Sequence, residues 1–172
     1  MSANTASAAR SVIKIHGGND RALYYFEVSS NDLSRRGNTE SSDDIFGNNS
    51  QASGYIANYN TDSYTFSGTL LYFSTDNPLT VDIDNGFGSR YRPKGTIEVI
   101  GRNSGGLYRE IKMTGSISRG SNLENNDRKI SGKKAQGYIV TGSDFWNAQG
   151  DITYLDLEPD YNSSIYVQYH RG

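Results

Sequence analysis

Two histidines, a scatter of carboxylates and 13 tyrosines are the side chains of this chain with chemistry to offer. A Ser–His–acid relay needs a serine held beside His16 or His170, and no nucleophile-elbow turn is present to hold one. His16 ends the first apolar run and His170 the last, so a histidine pair is conceivable, but two surface histidines are the expectation. Asp43 with Asp44, Asp82 with Asp84, and Glu158 with Asp160 offer the oxygen ligands that calcium takes, yet no EF-hand spacing joins them. Gly17, Gly18 and Gly101 read as turn glycines with no helix behind them, so no phosphate cradle is expected. There is no cysteine for a thiolate site or a disulfide. The chain reads as a non-enzyme with no catalytic residue, no cofactor and no metal.

Binding chemistry is better supplied. Tyr25, Tyr59, Tyr91, Tyr161, Tyr166 and Trp146 are candidate platforms for a sugar or another flat surface. Basic side chains gather as Arg35 and Arg36, as Arg90, Arg92 and Lys94, and as Arg128, Lys129, Lys133 and Lys134. Together with Trp146 these nine form the expected interaction surface. Asn48 and Asn162 begin N-x-[ST] acceptors, which matter only in a secreted chain.

The elements that position these groups are repeated. Val12-Ile13-Lys14-Ile15-His16-Gly17 returns as Thr96-Ile97-Glu98-Val99-Ile100-Gly101. Ala52-Ser53-Gly54-Tyr55-Ile56 returns as Ala135-Gln136-Gly137-Tyr138-Ile139, and Ser67-Gly68-Thr69 as Gln149-Gly150-Asp151. Leu23-Tyr24 matches Leu107-Tyr108, Ile45 matches Ile130, Asp62 matches Asp144, Tyr64 matches Trp146 and Val81 matches Val167. The spacing stays between 82 and 86 residues. Within each copy apolar residues alternate with polar ones, as in Leu79-Thr80-Val81-Asp82-Ile83-Asp84, which marks half-buried antiparallel strands. No segment has a helical stripe, so at most one turn of helix is expected, near Leu33 or Ile117. About five strands per copy are expected, with polar loops over 34–44 and 118–129.

The fold class is therefore all-β: an antiparallel β-sandwich or jelly-roll-like barrel built from an internal duplication. The expected organisation is an N-terminal arm (1–11), a first β repeat (12–86), a linker (87–95) and a second β repeat (96–172), with the repeats free to merge into one sandwich. A net charge of −2 over 172 residues argues against a general nucleic-acid binder. The charge is uneven: the first 86 residues hold five basic and ten acidic side chains, the last 86 twelve and nine. Drift between the duplicated copies accounts for that asymmetry; complementary faces for head-to-tail self-association are the second reading. No apolar run is long enough for a membrane span. The first residues lack the apolar core of a signal peptide, so synthesis in the cytoplasm is expected.

Tyr24-Tyr25-Phe26-Glu27-Val28-Ser29, Asp43-Asp44-Ile45-Phe46-Gly47, Ala52-Ser53-Gly54-Tyr55 and Asp62-Ser63-Tyr64-Thr65-Phe66-Ser67-Gly68 resemble a small β module common in haloarchaeal proteins. The likeness spans most of 12–86 and, more weakly, 97–169. It implies a small β-sandwich unit and transfers no catalytic residue. The expected function is structural: a virion capsid or decoration subunit, or a surface-array subunit, partnered by copies of itself and by other structural proteins. The alternative is a carbohydrate- or surface-binding module. In the structural reading the protein resides in a virion or an extracellular assembly.

Overall fold

The computed structural model describes residues 10–40, 42–84 and 94–172. They form two eight-stranded antiparallel sheets packed face to face as an unclosed sandwich. The first copy supplies β1 (Ser11–Gly17), β2 (Ala22–Val28), β3 (Ser34–Arg35), β4 (Asp44–Phe46), β5 (Gln51–Ile56), β6 (Thr61–Phe66), β7 (Leu70–Thr75) and β8 (Leu79–Asp84). The second supplies β9 (Lys94–Arg102), β10 (Gly106–Met113), β11 (Ser116–Arg119), β12 (Arg128–Ser131), β13 (Lys134–Ile139), β14 (Gly142–Gln149), β15 (Ile152–Pro159) and β16 (Ser164–Arg171).

Each copy is a four-on-four unit. In the first, β1 pairs with β8, β2 with β7, β3 with β6 and β4 with β5, a nested set of antiparallel pairs. Further pairs, β1·β6 and β2·β5, complete its two half-sheets. The second copy repeats every pairing, strand for strand. The units then join edge to edge through β8·β15 in one sheet and β7·β16 in the other. The first sheet runs β12-β13-β10-β15-β8-β1-β6-β3 and the second β11-β14-β9-β16-β7-β2-β5-β4. Exchanging each strand for its counterpart in the other copy turns one order into the reverse of the other. The duplication is thus a two-fold relation that swaps the sheets.

Alternation produces the core. Ile13, Ile15, Tyr64, Phe66 and Val81 point inward from one sheet, and Tyr24, Phe26, Leu70 and Phe73 meet them from the other, all buried. Ile97, Val99, Trp146 and Val167 do the same opposite Tyr108, Ile111 and Leu155. The two sets form one continuous cluster across the joint. Joining the units removes four edges that would otherwise stand open.

Several expectations are corrected. Each copy has eight strands rather than five. Of the three further strands in each copy, two are short edge strands in polar stretches, β3 and β4 in the first and β11 and β12 in the second; an edge strand with solvent on one side has little apolar alternation to read. No helix occurs among the described residues, and Ile117 lies in β11. Ser11 already belongs to β1, while Lys94 and Gly95 belong to β9 rather than to a linker. The β4 and β12 ladders set Ile45 level with Lys129, not Ile130, because β12 is bulged before Ser131.

Candidate interaction faces and the buried tyrosine clusters

Two kinds of polar site emerge, one inside the sandwich and one outside. The interior site occurs once in each unit. In the second, Tyr108 on β10 donates toward Asp127 Oδ1 at 2.9 Å and Asp144 Oδ2 at 3.0 Å, and Trp146 Nε1 on β14 donates to the Tyr108 oxygen at 3.3 Å. Asp127 Oδ2 accepts the Glu124 amide at 2.6 Å, closing the loop before β12, and Arg119 donates to the Asp127 carbonyl. In the first unit Tyr24 donates to Asp62 Oδ2 at 2.9 Å and lies 2.7 Å from the Tyr64 hydroxyl. Asp43 Oδ2 accepts the Glu40 amide at 2.8 Å, and Arg35 donates to the Asp43 carbonyl.

All four aspartates are buried. Burial first, then the neighbouring Asp127 and Glu124 charges, push the Asp144 carboxyl up to about 6 against the Tyr108 hydrogen bond. Asp62 is likewise pushed up to about 6, first by burial, with Asp43 and Glu40 adding to it. Burial raises Asp43 as well, and it holds the Tyr24 and Tyr108 phenols well above the usual tyrosine range.

These clusters explain two glycines of the repeat. A Cβ on Gly54 would sit 2.2 Å from Asp43 Oδ1 and 2.4 Å from the Tyr24 hydroxyl; one on Gly137 would sit 2.0 Å from Asp127 Oδ1 and 2.1 Å from the Tyr108 hydroxyl. Only a residue without a side chain lets loop and tyrosine meet there. The loop members carry a signal of their own in the sequence: Arg35, Glu40 and Asp43 recur with the same spacing as Arg119, Glu124 and Asp127.

The exterior site is a contrast between the two outer faces. On the sheet that ends in β4, cross-strand neighbours form two adjacent rows. One runs Phe46, Gln51, Glu27, Tyr72, Gln168, Glu98, Phe145; the next runs Ser53, Tyr25, Ser74, Tyr166, Ile100, Ser143. Aromatic rings alternate between the rows and touch diagonally. Phe46 and Tyr25 have centroids 5.9 Å apart, Tyr25 and Tyr72 5.5 Å, and Tyr72 and Tyr166 6.1 Å. Arg102 lies 4.9 Å over the Tyr166 ring, and at the near end Arg21 lies 3.7 Å over Tyr55. This zigzag crosses the joint between the units.

The other outer face is charged. Its central row is Ser63, Lys14, Asp82, Tyr154, Lys112, Lys134. Lys134 pairs with Glu110 at 3.0 Å. An open groove of about 730 Å³ lies here, lined by Lys14, Asp82, Glu110, Lys112, Lys133 and Tyr154. The counterpart of Tyr25 on this face is Arg109 and that of Tyr166 is Thr80, while Tyr72 and Tyr55 keep their rings, as Tyr154 and Tyr138.

The expected interaction residues fall in different places. Trp146 is fully buried in the core, its indole committed to Tyr108, and is no surface residue. Arg35 and Arg119 hold loop carbonyls. Arg128, Lys129, Lys133 and Lys134 do come together, on the β12–β13 hairpin at one edge; Arg36 is exposed beside β3 at the opposite edge of that sheet, and Lys94 begins β9. Arg90, Arg92 and Tyr91 lie outside the described residues. Tyr25 and Tyr166 share the aromatic face, while Tyr59 and Tyr161 protrude from turns, 75 % and 90 % exposed. The histidines stand on opposite outer faces: His16 meets Thr61 at 2.8 Å and His170 meets Glu98 at 2.6 Å. Among the described residues no three His, Asp or Glu side chains converge as a metal site. The chain matches no known family model, no curated protein and no solved structure.

Proposed function

We propose that this chain is a non-catalytic assembly subunit, of a virion capsid or decoration layer or of a surface array, whose contact surface is the aromatic outer face. The observation that carries the reading is the divergence between the two faces. The duplication retained the strand pairings, the core and the clusters in both units. It gave one outer face a ring ladder flanked by Arg102 and the other a lattice of charges. Clustered tyrosines with arginine on a sheet are the composition of a protein contact, and the difference between the two faces sets a direction for association. Tandem β units without a catalytic motif, and a likeness to a small β module that transfers no catalytic residue, support the same reading; the step to a virion is by analogy of fold. Copies of the chain and other structural proteins of the assembly are the proposed partners.

The second reading, a carbohydrate-binding module, has its own support in Gln51, Gln168, Glu27 and Glu98, which flank the rings with polar groups. Ring geometry favours the first. The rings are inclined to their neighbours by 35°, 69° and 55°, so they pack on each other instead of offering one flat stacking plane. Light scattering and electron microscopy of the purified protein at micromolar concentration separate the two. The assembly reading expects rings, sheets or particles of uniform size. A strict monomer that binds a glycan array through Tyr72 and Tyr166 would replace it with the second.

A further inference from the structure

Tyr108 is one proton short of its contacts. Its oxygen lies 2.9 Å from Asp127 Oδ1 and 3.0 Å from Asp144 Oδ2, and a hydroxyl has one hydrogen to give. With both carboxyls ionised, one of them faces an oxygen lone pair at hydrogen-bond distance inside the sandwich. A proton on Asp144 resolves this. Asp144 and Trp146 then donate to Tyr108, and Tyr108 donates to Asp127, which fills the one donation and two acceptances a hydroxyl can make.

In the first unit the shortage falls on the loop aspartate instead, because Tyr64 can donate to Tyr24 and Tyr24 to Asp62. The buried Oδ1 of Asp43 accepts no side-chain hydrogen, and the Tyr55 amide is the strand backbone group that bonds this carboxyl. That oxygen and the Tyr24 hydroxyl crowd the same side of Gly54. A proton on Asp62 lets Asp62 donate to Tyr24 and frees the hydrogen of Tyr24 for Asp43.

We propose that each cluster is a proton-operated latch: one proton shared between a strand aspartate and a loop aspartate holds the loop segment carrying Glu40 and Asp43, or Glu124 and Asp127, on the core. Asp62 and Asp144 are fixed in the ladders of β6 and β14, so when the proton leaves, the loop aspartate is the partner able to withdraw. The groups facing each latch set its sense. Glu40 or Glu124 adds negative charge from the loop. Arg35 or Arg119 offsets part of it from β3 or β11 through the loop carbonyls. Tyr64 or Trp146 faces it from β6 or β14; β5 presents Gly54 and the Tyr55 amide, which bonds Asp43, and β13 presents Gly137. Asp62 and Asp144 keep their protons up to about 6, so the latch is closed in mild acid and loosened above neutrality.

Amide hydrogen exchange at Glu40, Asp43, Glu124 and Asp127 tests this in the full chain, corrected for intrinsic exchange. His16→Asn and His170→Gln form the background, so that no imidazole remains in the chain. Protection of these amides is expected to fall at least about tenfold between about pH 5 and about pH 7.5. Adding Asp62→Asn and Asp144→Asn, whose amides donate at every pH, is expected to abolish that fall. Flat protection in the background chain, or an undiminished fall in the asparagine variant, overturns the latch. Carbon-13 carboxyl shifts of the wild-type chain give a readout that needs no variant. One carboxyl per cluster is expected to be protonated at about pH 5. Four ionised carboxyls at that pH overturn the proposal equally.

Discussion

At the scale of residues, the duplication acts as its own experiment. Gly54 and Gly137 survive in both copies because a loop aspartate and a tyrosine hydroxyl close over them. Gly137→Ala and Gly54→Ala are each expected to lower unfolding free energy by about 1–3 kcal/mol, through displacement of a packed cluster. Gly132→Ala, where a Cβ meets nothing within 4 Å, should change it by no more than about 0.5 kcal/mol. Urea unfolding of the three variants decides this. Proton linkage gives a second expectation. Asp62 and Asp144 bind protons more tightly folded than unfolded, so their contribution is complete below the ordinary carboxyl value of 3.8 and is lost as pH rises through about 6. Asp32, lowered by hydrogen bonds from Ser67 against its desolvation, and Glu98, lowered by Ser143 and His170, act in the opposite sense and lose their contribution in acid. Melting temperature should therefore rise as pH drops from about 7 to about 5 and fall again below about 4. A melting temperature that climbs steadily to pH 8 would contradict the burial of the two carboxyls. Most cluster members stood in the repeat as matched letters: Tyr24 with Tyr108, Asp62 with Asp144, Gly54 with Gly137. Their convergence was not legible, because pairing across two sheets leaves no local period. Asp43 and Asp127 were hidden further in loops that read as solvated polar runs.

At the scale of elements, the joint between the units shows what the duplication permits. Thr69 and Asp151 occupy equivalent turns, and Thr69 Oγ1 donates to Asp151 Oδ1 at 2.6 Å across the joint. Two identical turns would place hydroxyl on hydroxyl or carboxylate on carboxylate. Divergence to one of each supplies a donor and an acceptor. Thr69→Val should cost about 1–3 kcal/mol because a buried carboxylate oxygen loses that donor, measured by thermal or urea unfolding. No measurable change would mean that water replaces the threonine there. Strong central strands were legible from alternation, since their inner faces are apolar and their outer faces polar. The edge strands β3, β4, β11 and β12 were not, because Ser34–Arg35 or Arg128–Ser131 has no buried face to impose a pattern. The second copy begins two residues before its apolar pattern does, since Lys94 and Gly95 extend β9 without apolar character.

At the scale of the molecule, the sandwich is symmetrical inside and unsymmetrical outside. Sequence made the symmetry plain and even showed unequal charge between halves. Half-by-half counting missed the more informative division, between outer faces, because each face draws four strands from each copy. Tyr25 and Arg109 are equivalents in the chain yet stand on opposite sides of the molecule. The ladder of Phe46, Tyr25, Tyr72 and Tyr166 is central to the proposed assembly, and its removal should leave the core intact. The most direct test is sedimentation velocity of the wild-type chain, of Tyr25→Ser/Tyr72→Ser/Tyr166→Ser, and of the charged-face control Lys14→Ser/Lys112→Ser, with circular dichroism confirming the fold of each. Wild type and control should sediment as the same large species and the tyrosine variant as a folded monomer. A monomeric wild type, or an assembly that persists without the three tyrosines, would contradict the account.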